Sequence, residues 1–233
     1  MDGTPHLISV WELPERGARG PRPRHDRSSI ASAAVRIADE GGLDALTMRG
    51  VAAGLGMATM TLYNYLPAKD HLAQLVIDAL AAEYAYPPAP TAGRRAAVAG
   101  LARQARDIAR RHPWMAGLAQ LPYPPGPNGL RYLDYFLGLL DGSALDTGAK
   151  LELIALISGF ATQYGTMQAA LAQQGVTGPQ HAGMHARAFA RAAASGEYPN
   201  LTAALAAAGP ARDQDDIFES SISRLVDIAL PAR

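Results

Sequence analysis

The sequence predicts an all-α protein, with a small head of short helices followed by a larger helical body. Three observations carry this prediction. Of the 233 residues, 48% are hydrophobic but only 6% aromatic, and much of the apolar share is alanine, a composition that favours helices over strands. Apolar residues recur at three- and four-residue spacing through most of the chain. Pro87, Pro88 and Pro90 interrupt that periodicity, so residues 28–86 are expected to form one domain and residues 91–233 another.

Composition limits the chemistry further. There is no cysteine, so disulfides and thiolate metal sites are excluded. No basic-then-apolar leader opens the chain, and no apolar run approaches the ~18 residues of a membrane span. A soluble, cytoplasmic protein is therefore expected. Net charge is zero, but the charge is unevenly spread. Arg16, Arg19, Arg22, Arg24 and Arg27 face a single acid, Asp26, in a stretch that also holds Gly17, Gly20, Pro21 and Pro23. Such a segment cannot bury a core, so residues 1–27 are expected to be a flexible basic arm. Arg22 and Arg24 could lie along phosphates or enter a minor groove; the alternative is a solvated leader.

The first helix is expected over 28–40, with Ile30, Ala34, Ile37 and Ala38 inward and Gly41-Gly42 as its stop. Residues 47–72 follow, and they are the most informative stretch. Thr47 can cap a short helix by accepting a first-turn backbone N–H, although no Glu or Gln at 50 completes a capping box. Leu46 and Val51 have hydrophobic-staple spacing. Val51, Ala52 and Leu55 make an apolar stripe, and Gly56 suits a left-handed residue ending the helix. A second short helix over 59–65 would turn Leu62 and Tyr65 to the core and Met60 partly inward, leaving Thr59, Thr61, Tyr63 and Asn64 outward. Pro67 pushes Leu66 out of the helical region. Lys69 then opens a helix over 69–84, where a cation opposes the helix dipole unless an anion such as a phosphate is near. Helix, glycine turn and polar second helix form the layout of a helix-turn-helix reader of the major groove.

This stretch resembles the TetR (tetracycline-repressor) family of bacterial transcription regulators. The family's Tyr-x-(His/Tyr)-(Phe/Val)-x-x-Lys-(Asp/Glu)-x-Leu pattern falls on Tyr63, Tyr65, Leu66, Lys69, Asp70 and Leu72. The resemblance implies phosphate contacts by Thr47, Tyr63 and Lys69, and base-edge contacts by Thr59, Met60, Thr61 and Asn64. Two positions depart from the family: Ala58 and Ala68 stand where it often has a capping Ser and a capping Asp or Asn. Each lost cap costs about 1 kcal/mol.

The body is expected to be helical throughout: an Ala/Arg-rich helix over 93–111, a short one over 114–119, then helices over 130–140, 147–174, 180–194 and 213–229. His112-Pro113, the prolines between 122 and 127, Gly175–Gly178 and the 196–199 stretch break them apart. The 147–174 helix is apolar on more than one side and must be covered on several faces. The body segments His112-Pro113-Trp114, Gly126-Pro127-Asn128 and Tyr198-Pro199-Asn200-Leu201 resemble one branch of TetR ligand-binding domains. Met115, Tyr132, Phe136, Phe160, Gln163, Tyr164 and Met167 mix apolar and polar groups as a small-molecule site requires, though the same spacing also describes ordinary core.

No catalytic constellation is present. There is no Gly-x-Ser-x-Gly elbow, no phosphate-binding glycine loop and no dinucleotide fingerprint. His181 and His185 could share a helix face, but two histidines without a carboxylate or thiolate make a poor metal site. No cofactor or metal is expected. The resemblance implies a homodimer on double-stranded operator DNA, joined through the last and longest helices and released by a small-molecule effector. A ligand-independent DNA-binding protein and an enzyme on a helical fold are the alternatives, and the choice between repressor and activator stays open at this point.

Overall fold

The structure is a computed structural model that describes residues 9–14, 25–87, 93–118, 123–207 and 212–231. Among these residues there are helices and turns and no strand. Ten α-helices follow in order: α1 Arg27–Ala45, α2 Met48–Gly54, α3 Thr59–Tyr63, α4 Lys69–Ala81, α5 Gly93–Arg111, α6 Pro127–Leu139, α7 Thr147–Gln173, α8 Gly178–Ser195, α9 Pro199–Ala206 and α10 Gln214–Asp227. Short 3₁₀ turns lie at Val10–Glu12 and Pro113–Gly117.

Two cores form, one built mainly before the proline break and one mainly after it. The head core joins α1 to α4 through Ile30, Ala34, Leu46, Val51, Leu62, Leu66, Leu72 and Val76, all buried. Leu46 and Val51 are both in it, as staple partners should be. α1 opens on a reciprocal cap: Ser29 N donates to Asp26 Oδ1 at 2.7 Å, and Asp26 N donates to Ser29 Oγ at 2.9 Å. The Ser29 backbone N–H also holds the Asp26 carboxyl below its ordinary pKa. Helical hydrogen bonding runs on to Ala45 rather than ending at 40, but Gly42 sits at φ 72° and breaks the helical path where the glycine pair predicts it.

The body core is built by α5, α6, α7 and α10 around Leu101, Phe136, Leu140, Ile157, Phe218 and Ile222. α5 and α7 cross so closely that a Cβ at Gly165 would lie 2.2 Å from the Arg106 carbonyl oxygen, which only glycine permits. α10 is clamped onto α5 by Arg103, whose Nε and Nη2 each donate to Glu219 at 2.7 Å. That bidentate pair holds the Glu219 carboxyl below its usual value.

Head and body meet at α4 and α6. Asp78 is buried on α4 and accepts from Asn128 N at 2.9 Å, Gly129 N at 3.0 Å and Asn128 Nδ2 at 2.9 Å. A carboxylate from the head thus caps a body helix whose own N-cap, Gly126, has no side chain to do so.

Three expectations need correction. Residues 9–13 do not belong to a flexible arm. Val10 is fully buried in the head core and its N–H donates to Gln74 Oε1 at 2.8 Å. Arg27 is likewise held, donating to the Leu13 carbonyl at 2.6 Å and lying over the Trp11 ring. Arg22 and Arg24 lie outside the described residues. α6 starts at Pro127 rather than 130, because proline suits a first helical position and Asp78 supplies the cap. The α9 helix at Pro199–Ala206 was not expected; Pro199, read as part of a break, instead starts it. α8 and α9 contain no buried residue.

Candidate nucleic-acid interface and effector body

The head's outer surface is made by α2, the turn after it and α3. Thr47 Oγ1 accepts from Gly50 N at 3.0 Å and starts α2. Gly56 takes φ 65° and turns the chain, so that Met57 N returns to the Ala52 carbonyl at 3.0 Å. α3 begins at Ala58 with no side-chain cap, as expected from the missing serine. Leu62 anchors this short helix in the core with no exposure. Around that anchor Met60, Thr61, Tyr63 and Asn64 are exposed and Thr59 is half-buried. Met60 is 73% exposed, which corrects the expectation that it turns partly inward. Helix 59–63 has one buried face, and Leu62 occupies it.

The other missing cap is partly replaced. Ala68 cannot cap α4, but its N–H donates to His71 Nδ1 at 3.1 Å from the first turn. Lys69 is exposed beside it and pairs with no carboxylate among the described residues. Arg49, in the first turn of α2, is also exposed and unpaired among the described residues. The sequence reading missed it, although the signal was the one used for Lys69: a cation at the positive end of a helix dipole. The surface therefore carries hydroxyl and amide groups flanked by two uncompensated cations. That is the chemistry of base edges read between phosphates.

In the body, the expected effector residues divide into two aromatic groups. Tyr132 meets Phe136 edge-to-face at 5.7 Å and Tyr84 at 4.6 Å between ring centroids. Its hydroxyl is 2.7 Å from Ser158 Oγ, and burial pushes its pKa up to about 12. Burial raises the Tyr84 phenol well above its ordinary value too. Tyr86 lies tilted against Tyr135 with ring centroids 5.1 Å apart, and its hydroxyl is buried with no hydrogen-bond partner among the described residues. The second group is Phe160 and Tyr164 against Phe218, with the Arg106 guanidinium 4.5 Å from the Phe218 ring centroid. Met115 lies in the Pro113–Gly117 turn and Met167 on α7, both half-buried. Gln163 departs from the prediction. It shares an exposed stripe with Glu152, Leu156 and Gly159, because those positions repeat on one side of α7. Tyr84, Tyr86 and Phe218 were not expected. They come from the head's exit segment and from α10, and only the tertiary fold brings them to α6 and α7.

His181 and His185 face each other at 3.2 Å on exposed α8, and no group of three or more metal-ligating side chains occurs among the described residues. No helix among the described residues is long and apolar enough to cross a membrane.

Residues 30–76 match the family model "Bacterial regulatory proteins, tetR family", and residues 87–227 match "Tetracyclin repressor-like, C-terminal domain". The HTH-type transcriptional repressor DrrR1 of Streptomyces coeruleorubidus is 32% identical over 200 residues, covering 83% of this chain and 73% of that protein. The repressor KstR of Mycolicibacterium smegmatis is 39% identical over 93 residues, 40% of this chain and 42% of its own length. ActR from Streptomyces coelicolor superposes with a TM-score of 0.70 at 28% identity, covering 89% of this chain and 98% of ActR. Head geometry, body architecture and both family models agree: the chain belongs to the TetR family and is a DNA-binding transcription repressor.

Proposed function

We propose that this chain binds a palindromic operator as a homodimer in the cytoplasm and lets go when a small, polycyclic aromatic molecule enters the body. The observation that carries the DNA side is the α3 surface, where one buried leucine leaves Met60, Thr61, Tyr63 and Asn64 facing outward between the cations Arg49 and Lys69. α3 enters the major groove. Thr59, Met60, Thr61 and Asn64 read bases, while Thr47, Arg49, Tyr63 and Lys69 hold phosphates.

Assembly is supported by two exposed stripes on helices that already pack together within the protomer. α7 offers Leu151, Leu156 and the small residues Ala155 and Gly159; α10 offers Ile217, with Ile228 as its C-cap. Two such helix pairs across a two-fold axis make a four-helix bundle. The effector class is supported by the tyrosine-rich walls of the body, including the unpartnered Tyr86 hydroxyl, which suit a flat ring system bearing polar substituents. ActR has been determined in complex with actinorhodin, at 26% identity to this chain. The effector binds the released state better than the DNA-bound state and lowers operator affinity by that difference.

A binding-selection profile tests the assigned roles. Lys69→Ala and Tyr63→Ala are expected to weaken binding to every sequence, each lost phosphate contact lowering the log–log salt slope by about 0.9. Thr61→Ala and Asn64→Ala are expected to change base preference instead, at about 1–3 kcal/mol for the affected position. Altered preference with an unchanged salt slope in Lys69→Ala would contradict the assignment.

A further inference from the structure

A cavity of about 390 Å³ lies at the seam between head and body, walled by α1, α4, the start of α6 and the Val10–Glu12 turn. Small-molecule sites span about 300–1,000 Å³. None of the residues assigned above to DNA lines this cavity, and none of the rings of the two aromatic groups in the body does. Its walls divide by chemistry. The Trp11 ring, Leu75, Ala79 and Pro127 make an apolar side. Arg27, Ser28 and Ser32, all from the start of α1, make a polar one. Ser28 and Ser32 are four residues apart and so share a face of the helix.

Arg27 is the group that the fold leaves unmatched. It is half-buried, its Nη2 donates to the Leu13 carbonyl at 2.6 Å, and its guanidinium lies 5.9 Å from the Trp11 ring centroid. These contacts fix where the cation stands but supply no carboxylate, and it forms no ion pair among the described residues. The other ionisable group on the cavity wall is Asp78, whose oxygens are taken up by Asn128 and Gly129 at the start of α6. A guanidinium is a planar fork that matches a carboxylate with two parallel hydrogen bonds. Phosphate carries more charge and would meet one cation and a largely apolar wall, where burying unpaired charge is costly.

From this arrangement we infer that the cavity is a further small-molecule site, for an organic carboxylate on a body of one or two rings. The carboxylate sits on Arg27 with Ser28 and Ser32 within its polar side, and the rings lie against Trp11. The occupant touches α1 and α4 of the head and α6 of the body, adding a tie to a seam that Asp78 already joins. The site depends on neither the operator reading nor the effector reading above.

Benzoate is the probe, and benzamide is its uncharged counterpart of nearly the same shape. Each is titrated into the full chain while the indole N–H resonances are followed by NMR. The chain has two tryptophans, and the Trp11 signal is assigned by its loss in Trp11→Phe. Benzoate is expected to shift the Trp11 resonance saturably, and benzamide to bind about tenfold more weakly, the worth of one charge-assisted bond. Arg27→Gln is expected to lower benzoate affinity by about tenfold and to leave benzamide unchanged. Ser32→Leu retains Arg27, changes an exposed position of α1 and fills the cavity from its rim, so it is expected to block both probes. Circular dichroism checks that each variant is folded. No saturable shift at Trp11, equal affinity for the two probes, or benzoate binding that survives both Arg27→Gln and Ser32→Leu would overturn the site.

Discussion

Replacing Leu156 by glutamate is expected to leave the chain folded but monomeric, and to abolish specific operator binding. Leu156 is 58% exposed on α7 and supports no protomer core, so a charge there costs the isolated protomer little. In a two-fold assembly it is buried twice, opposite its own copy, and neither carboxylate has a partner. A monomer reaches one half-site and forfeits the effective concentration of the second head, roughly 10²–10⁴-fold in affinity. Ile228→Glu at the C-cap of α10, 56% exposed, is expected to act in the same way. Leu225 is a poor choice for this test despite its place on the predicted apolar face of the last helix. It packs against the protomer's own core, so a charge there would mix unfolding with dissociation. Sedimentation equilibrium checks assembly and circular dichroism checks folding. A stable dimer in both variants would place the interface elsewhere.

Deleting residues 1–13 is expected to destabilise the head by about 3–5 kcal/mol. Val10 contributes about 1.5–3 kcal/mol by burial, and Gln74 Oε1 loses the Val10 N–H, at about 1–3 kcal/mol for a buried acceptor left unmet. Gln74 Nε2 is already unpaired, so the whole amide would be stranded on buried α4. Trp11 leaves as well, and with it the ring that lies against Gly126 at the start of α6. Converting Arg16, Arg19, Arg22 and Arg24 to glutamine retains Val10 and is expected to leave stability unchanged while reducing the salt slope by about 0.9 per lost phosphate contact. Denaturant unfolding separates the two. Equal stability in the truncated chain would show that the Val10 turn adds nothing to the head.

The head was legible because each of its signals is local. Thr47 as cap, Leu46 and Val51 as staple, Gly56 as turn and Pro67 as stop each act within a few residues of the backbone they shape. The buried and exposed sides of α3 followed from periodicity, except at Met60 and in part at Thr59, which is half-buried, since five residues are too few to decide what each side chain has to pack against. The junction was not legible. Asp78 caps a helix about fifty residues later, and Asp39, Glu83 and His112 meet from three separate elements. No spacing in the sequence announces such partners. Nor could periodicity reveal the Val10 turn, which is three residues long and docks on a side chain from α4. The sequence singled out aromatic residues on α6 and α7 but not Tyr84, Tyr86 or Phe218, because which aromatic rings meet is decided by the helices the fold brings together.

Selection of bound duplexes from random DNA by the full chain tests the central claim most directly. A dimer with a two-fold axis between α7 and α10 presents two copies of α3 to successive major grooves, about 34–36 Å apart or a multiple of that spacing. The predicted result is enrichment of an inverted repeat whose half-sites obey that spacing, with Thr61→Ala and Asn64→Ala changing the same positions in both halves. Recovery of a direct repeat, of a lone half-site, or of no preferred sequence would contradict it.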